Sequence, residues 1–198
     1  MSNPKSLDDR ILRASVLAAR ARVYLDLFAS LMWQDNLNKF EDVLEVRWDL
    51  FLFFRTAVEH EYLARIVNLF TPRSDTDNFP ELVGKAEREG AVSAVTCANI
   101  RAQIAFVKST VGIVKTIRHK VVSHQDSRYA KPEIYKAVKP TLPMYLDLSD
   151  QSLAIAGALC LARGLIPEAV PQTPAKQLER MLSELQRQAR TGNDLDVP

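Results

Sequence analysis

Apolar residues recur at spacings of three and four along most of the chain, and no segment alternates with period two. The pattern therefore predicts helices and no strands. Ser6-Leu7-Asp8-Asp9 has the form of an N-cap followed by acids in the first turn, where the helix dipole favours them. From there an alanine- and leucine-rich amphipathic segment runs to about Trp33, and the polar stretch Gln34–Asn38 reads as a turn. A second helix is predicted from about Phe40 to Phe70. It is the most apolar of the chain, with Trp48-Asp49-Leu50-Phe51-Leu52-Phe53-Phe54 at its heart, and a helix apolar on most sides belongs at the centre of a bundle. Thr71–Asn78, with Pro72, is a polar loop, and a short helix near Pro80–Glu89 stops at Gly90.

The third long helix is predicted from about Ala98 to His124. A loop through Gln125–Lys131 follows, then a short helix from Pro132 and a proline-bounded link at Pro140–Pro143. Ser149 or Asp150 is placed to cap a helix over Gln151–Arg163, closed by Gly164. Thr173-Pro174 opens a C-terminal helix at about 174–191 that ends near Thr191-Gly192. There is no internal repeat and no low-complexity tract. The expected fold is all-α: an up-and-down bundle of three to four long helices plus short ones, forming a single domain over residues 1–198.

Composition changes this picture little. Among 198 residues 47% are hydrophobic and 25% charged, the balance of a folded domain, and the six glycines suit a helical chain. Formal charge is +2, so the chain as a whole is no generic polyanion binder. Cys97 and Cys160 are isolated from each other and from any Cys/His cluster, so neither a disulfide framework, a metal site nor a bound cofactor is expected. The N-terminal ten residues lack the apolar stretch of a signal peptide, and the apolar runs are too short to span a bilayer. The expectation is a cytoplasmic protein with no membrane partner.

Local charge matters more. Between Arg101 and Pro140 nine lysines and arginines face only Asp126 and Glu133, a net +7 that leaves −5 for the remainder of the chain. On a wheel at about 100° per residue, Ile100, Ile104, Val107, Val111, Val114 and Val121 form one apolar stripe, and Arg118 falls where that stripe calls for another apolar residue. Arg101, Lys108, Lys115 and His119 line a neighbouring ridge. A guanidinium in such a position needs an acid, a carbonyl, a ligand or a second subunit. An acid of the second helix, such as Glu45, Asp49 or Glu59, could supply an ion pair within the chain, and a seam open to water is the other bland alternative.

Arg118-His119-Lys120-Val121-Val122-Ser123-His124 resembles the R-x(4–6)-H motif of the HEPN superfamily, with a polar residue directly after the arginine. The arrangement over about residues 40–165 is similar to the abortive-infection branch of that superfamily: an aromatic-rich helix, a polar loop, a basic helix ending in the motif, and later helices. A second match, Arg55 to His60, lies inside an apolar helix with Glu59 and Glu61 flanking the histidine. Those acids would repel a phosphate, so His60 reads as a structural histidine. In some HEPN toxins a tyrosine stands two residues after the motif histidine; here that position is Asp126.

The resemblance implies a metal-independent endoribonuclease of a defence or toxin–antitoxin system, whose composite site forms where two subunits of a homodimer meet. It also implies RNA as substrate and a cognate antitoxin as a further partner. Arg118, His124 and His119 would carry the chemistry. An imidazole titrating near neutrality can exchange a proton with a ribose 2′-OH or a leaving 5′ oxygen, and a guanidinium can steady charge on the phosphate. Lys115, Lys120 and Arg128 would hold flanking RNA backbone. Six residues apart, Arg118 and His124 diverge by about 120° on an ideal helix, so a two-fold partner or a bend would have to bring them together. The alternative is a non-catalytic HEPN-like helical module that binds RNA or a protein partner. No Walker motif, GxGxxG, di-iron ExxH pair or nucleophile–His–acid triad offers another enzyme class, and no helix-turn-helix signature is present.

Overall fold

The computed structural model describes residues 6–32, 34–73, 75–119 and 139–190. Every regular element among them is helical: α1 (Leu7–Met32), α2 (Gln34–Lys39), α3 (Glu41–Val46), α4 (Trp48–Phe70), α5 (Phe79–Arg88), α6 (Ala94–Phe106), α7 (Lys108–Ile117), α8 (Leu142–Ala162) and α9 (Thr173–Arg190). The chain is all-α as its period predicts. No helix among the described residues is long and apolar enough to cross a membrane. The short helix expected from Pro132 and the loop through Gln125–Lys131 lie outside the described residues.

α1 is the axis of the molecule. Ser6 opens it with reciprocal bonds: its Oγ accepts from the Asp9 amide at 3.1 Å, and its own amide donates to the Asp9 carboxylate at 3.2 Å. Ala14, Ala18 and Ala21 are fully buried, and their small side chains let neighbouring helices approach α1 closely. α4 and α8 take those places. The start of α8 meets the end of α1, where Tyr145 lies 6.3 Å from Phe28, and Arg163 just past the end of α8 bonds Asp8 at the start of α1. Both α4 and α8 therefore run antiparallel to α1, α4 ending in a loop whose Asp77 meets Arg10 and Arg13.

That Asp77 clasp sets the register of α1 against the loop after α4. The carboxylate accepts from Arg10 Nε at 2.7 Å and Arg13 Nε at 2.6 Å. Burial alone would raise its pKa, but the hydrogen bonds and charges of Arg13 and Arg10 outweigh that, so it sits below the ordinary aspartate range. A lowered folded-state pKa gives stability that is present above the unfolded value and lost as pH falls through the folded one. Asp77→Asn is expected to cost about 1–2 kcal/mol at neutral pH. The gap to the wild type should close as pH falls below about 4. Urea melts of both proteins at neutral and acid pH measure the difference.

Several predicted boundaries move. Gln34–Asn38, expected as a turn, lies within the short helix α2. The helix expected over Phe40–Phe70 breaks at Arg47, which leaves helical backbone (φ −121, ψ 29) so that Phe40, Leu44 and Phe51 all bury inward. The helix expected from Ala98 starts at Ala94, capped by Ser93 accepting from the Thr96 amide at 3.1 Å, and it is interrupted at Val107. The helix expected from Gln151 begins a full nine residues earlier at Leu142. Thr141 caps it, Pro143 sits in the first turn where no intrahelical N–H is needed, and Ser149 is a buried interior residue rather than a cap. Gly90 and Gly164, at φ +61 and +67, close α5 and α8 as their positions predict.

Candidate functional site

The break at Val107 decides what α7 presents. Across α6 and α7, Cys97, Ile100, Val107, Val114 and Ile117 are buried, whereas Ile104 and Val111 are partly covered and Phe106 is 78% exposed. The core-facing stripe thus ends on Ile117, and Arg118 follows as a half-buried residue at the edge of the seam, not in its centre. Residues 118 and 119 form a wider helical turn that ends the described part of this segment.

Arg118 reaches α4. Its Nη1 donates to Asn68 Oδ1 at 3.0 Å. None of the acids considered from sequence meets it. Glu45 and Asp49 are exposed near the opposite end of α4, and the buried Glu59 accepts from the Tyr145 hydroxyl at 3.5 Å. Among the described residues the guanidinium is therefore steered by a neutral amide and not by an acid. Asn68 is the residue that sequence reasoning did not single out. The only signal for it is one polar residue inside Ile66-Val67-Asn68-Leu69-Phe70.

The ridge beside Arg118 is basic and open. Lys108, Lys115 and His119 are exposed along it, and Arg101 at its far end is engaged by Glu87 at 2.9 Å. Among the described residues no acid pairs with Lys108 or Lys115. A groove of about 410 Å³ lies at the α6–α7 break, with Phe70, Pro80, Ile104 and Val111 in its wall and Lys108 at its lip. Arg118, Lys115 and His119 thus share one helix end, while His124, Lys120 and Arg128 lie outside the described residues. His60, the second motif match, is half-buried within α4.

What this arrangement can do chemically follows from charge and access. A guanidinium held by a neutral amide, with no acid on it among the described residues and with exposed lysines and an imidazole beside it, is suited to hold a phosphodiester and to stabilise charge growing on its oxygens. Comparison with protein-family models, curated protein sequences and solved structures finds no match to this chain.

Proposed function

We propose that the protein is a HEPN-type, metal-independent endoribonuclease of a defence or toxin–antitoxin system, acting as a homodimer on RNA. The observation that carries the reading is the state of Arg118: half-buried at the end of a basic helix, oriented by Asn68, and left without an acid among the described residues. A structural ion pair would have spent that charge; a phosphate-binding arginine has to keep it.

In this mechanism His124 removes the proton of the ribose 2′-OH as that oxygen attacks phosphorus. The bond to the 5′ oxygen breaks, and the leaving oxygen takes up a proton delivered by His119 or a second histidine across the dimer. The products are a 2′,3′-cyclic phosphate and a 5′-hydroxyl end. Arg118 stabilises the pentacoordinate phosphorane oxygens, and Lys115, with Lys120 and Arg128, holds neighbouring phosphates.

The test is incubation of the purified chain with single-stranded and structured RNA in excess EDTA, with end-group analysis of the products. Cleavage with 5′-hydroxyl ends is expected, falling about 10²–10⁴-fold in His124→Ala. Absence of cleavage, or cleavage unaffected by that substitution, overturns the catalytic reading. Salt-sensitive RNA binding without cleavage would assign the chain to the non-catalytic, RNA-binding alternative.

A further inference from the structure

The groove at the α6–α7 break lies on the same seam as Arg118. Asn68, which holds the arginine, and Phe70, which lines the groove, are two residues apart at the end of α4. α4 stops at Phe70 because Pro72 pushes Thr71 into extended backbone (φ −93, ψ 116), and the seam loses its cover there. Ile104 and Val111 are left only partly buried as a result. The opening measures about 410 Å³, within the size range of small-ligand sites. Phe70 is fixed in it by an edge-on contact to Phe79, with ring centroids 5.2 Å apart. Among the described residues the lining is apolar apart from two cations, Arg101 and Lys108, and it holds no acid. Arg101 is engaged by Glu87, whereas no described acid pairs with Lys108.

We propose that this groove takes one base of a single-stranded RNA whose phosphate is held on Arg118. The proposal rests on RNA as the substrate of that helix end and adds the path of the strand. Val111 and Arg118, seven residues apart, stand within about 20° of one line along α7 and about 10 Å from each other. Lys108 and Lys115 repeat that spacing on a second line about 60° away. A strand lying along α7 therefore finds cations for its phosphates at Lys115 and Lys108, and an apolar slot beside the latter. A base has apolar faces and polar edges. A slot that offers apolar contact and no hydrogen-bonding group except the cations at its lip holds the face of any base, and a purine best for its larger area. An acyl anion would fill the slot and meet Lys108, yet leave Lys115 and Arg118 unused.

Equilibrium binding to the full chain carrying His124→Ala tests this without any need for cleavage. Two fluorescent strands of about 12 nucleotides are compared, oligoadenylate and a fully abasic strand of equal length and charge. Oligoadenylate should bind about tenfold more tightly, the worth of one stacked base. Ala105→Gln, at an exposed position that lines the groove, fills the slot without changing charge. It should erase the preference and bind the abasic strand as before. Lys108→Ala should instead weaken both strands and lower the slope of log affinity against log salt by about one. Equal affinity for the two strands, a preference that survives Ala105→Gln, or no binding of either strand overturns the proposal. A groove that belongs to an acyl anion, a protein partner or another part of the chain gives the first of those results. Cleavage is scored in the separate EDTA assay. A chain that cuts RNA without the preference loses only the groove, and one that shows the preference without cutting loses only the chemistry.

Discussion

Arg118→Ala is expected to lower single-turnover RNA cleavage by about 10²–10³-fold, the range measured when one preorganised donor to a developing oxyanion is removed. The fold should tolerate the change. Arg118 is half-buried and has one neutral partner among the described residues, so its loss should cost no more than about 1 kcal/mol of stability. Arg118→Lys separates charge from geometry. The ammonium retains the attraction to phosphate but loses the planar fork and the fixed contact to Asn68, so RNA affinity should recover while the rate stays within about tenfold of alanine. Asn68→Ala leaves the arginine in place and frees it to rotate. A loss of about tenfold in rate is expected there, with RNA affinity near that of the wild type. The slope of log affinity against log salt should fall by about one in Arg118→Ala and remain unchanged in Asn68→Ala. Equal cleavage by the wild type and Arg118→Ala would remove the guanidinium from the chemistry altogether.

Much of the fold was legible because its signals are local. Ser6-Leu7-Asp8-Asp9 marks the start of α1, Asn78 with Pro80 marks α5, and Gly90 and Gly164 mark two helix ends through positive φ. The misread boundaries have non-local causes. Neither Arg47 nor Val107 has a glycine or proline at it, and both breaks serve packing: one turns Phe40 and Leu44 toward Phe51, the other turns Val114 and Ile117 inward while leaving Phe106 out. Pro143 reads as a stop when it follows Pro140, yet in a first turn it is a start. The distinction rests on Thr141 capping the Met144 amide at 3.4 Å, which spacing alone does not reveal.

The site divides in the same way. An arginine at the end of an apolar, basic-edged helix can be found by period and charge. Its partner cannot, since Asn68 is fifty residues away and carries no charge to betray it. The shift of Arg118 from the centre of the seam to its edge follows from the break at Val107, because a helix wheel drawn through a break accumulates the wrong phase. The apolar character of the Phe40–Phe70 segment was also legible, but period does not say whose surface covers each side. One side of α4 is covered by α1 and α8; on the other, Leu50, Phe53 and Phe54 are exposed, and no described helix packs over them.

Tyr62 holds the covered side, and Tyr62→Ala is expected to destabilise the protein by about 3–5 kcal/mol. The residue is fully buried between α1 and α8, its ring lies 5.3 Å from that of Tyr145, and its hydroxyl donates to the Tyr145 carbonyl at 2.9 Å. Alanine would leave a cavity where three helices meet and also strand that carbonyl's second hydrogen bond. Tyr62→Phe keeps the packing and removes only the donor, so about 1–1.5 kcal/mol should be lost. The two variants differ again with pH. Burial pushes the Tyr62 phenol well above its usual value, with the charge of Asp150 acting in the same sense and that of Arg22 against it. A raised folded-state pKa contributes stability that is whole below the unfolded value, about pH 10, and declines as pH climbs beyond it toward the folded one. Wild-type stability should therefore fall in strong alkali while Tyr62→Phe, with nothing to ionise at that site, loses less. The gap between them should narrow or invert. Denaturant melts at neutral and alkaline pH measure this, and phenolate absorbance should show one tyrosine ionising only as the protein unfolds. A Tyr62→Ala protein that melts with the wild type would mean that the contact between α4 and α8 is not what holds this end of the bundle.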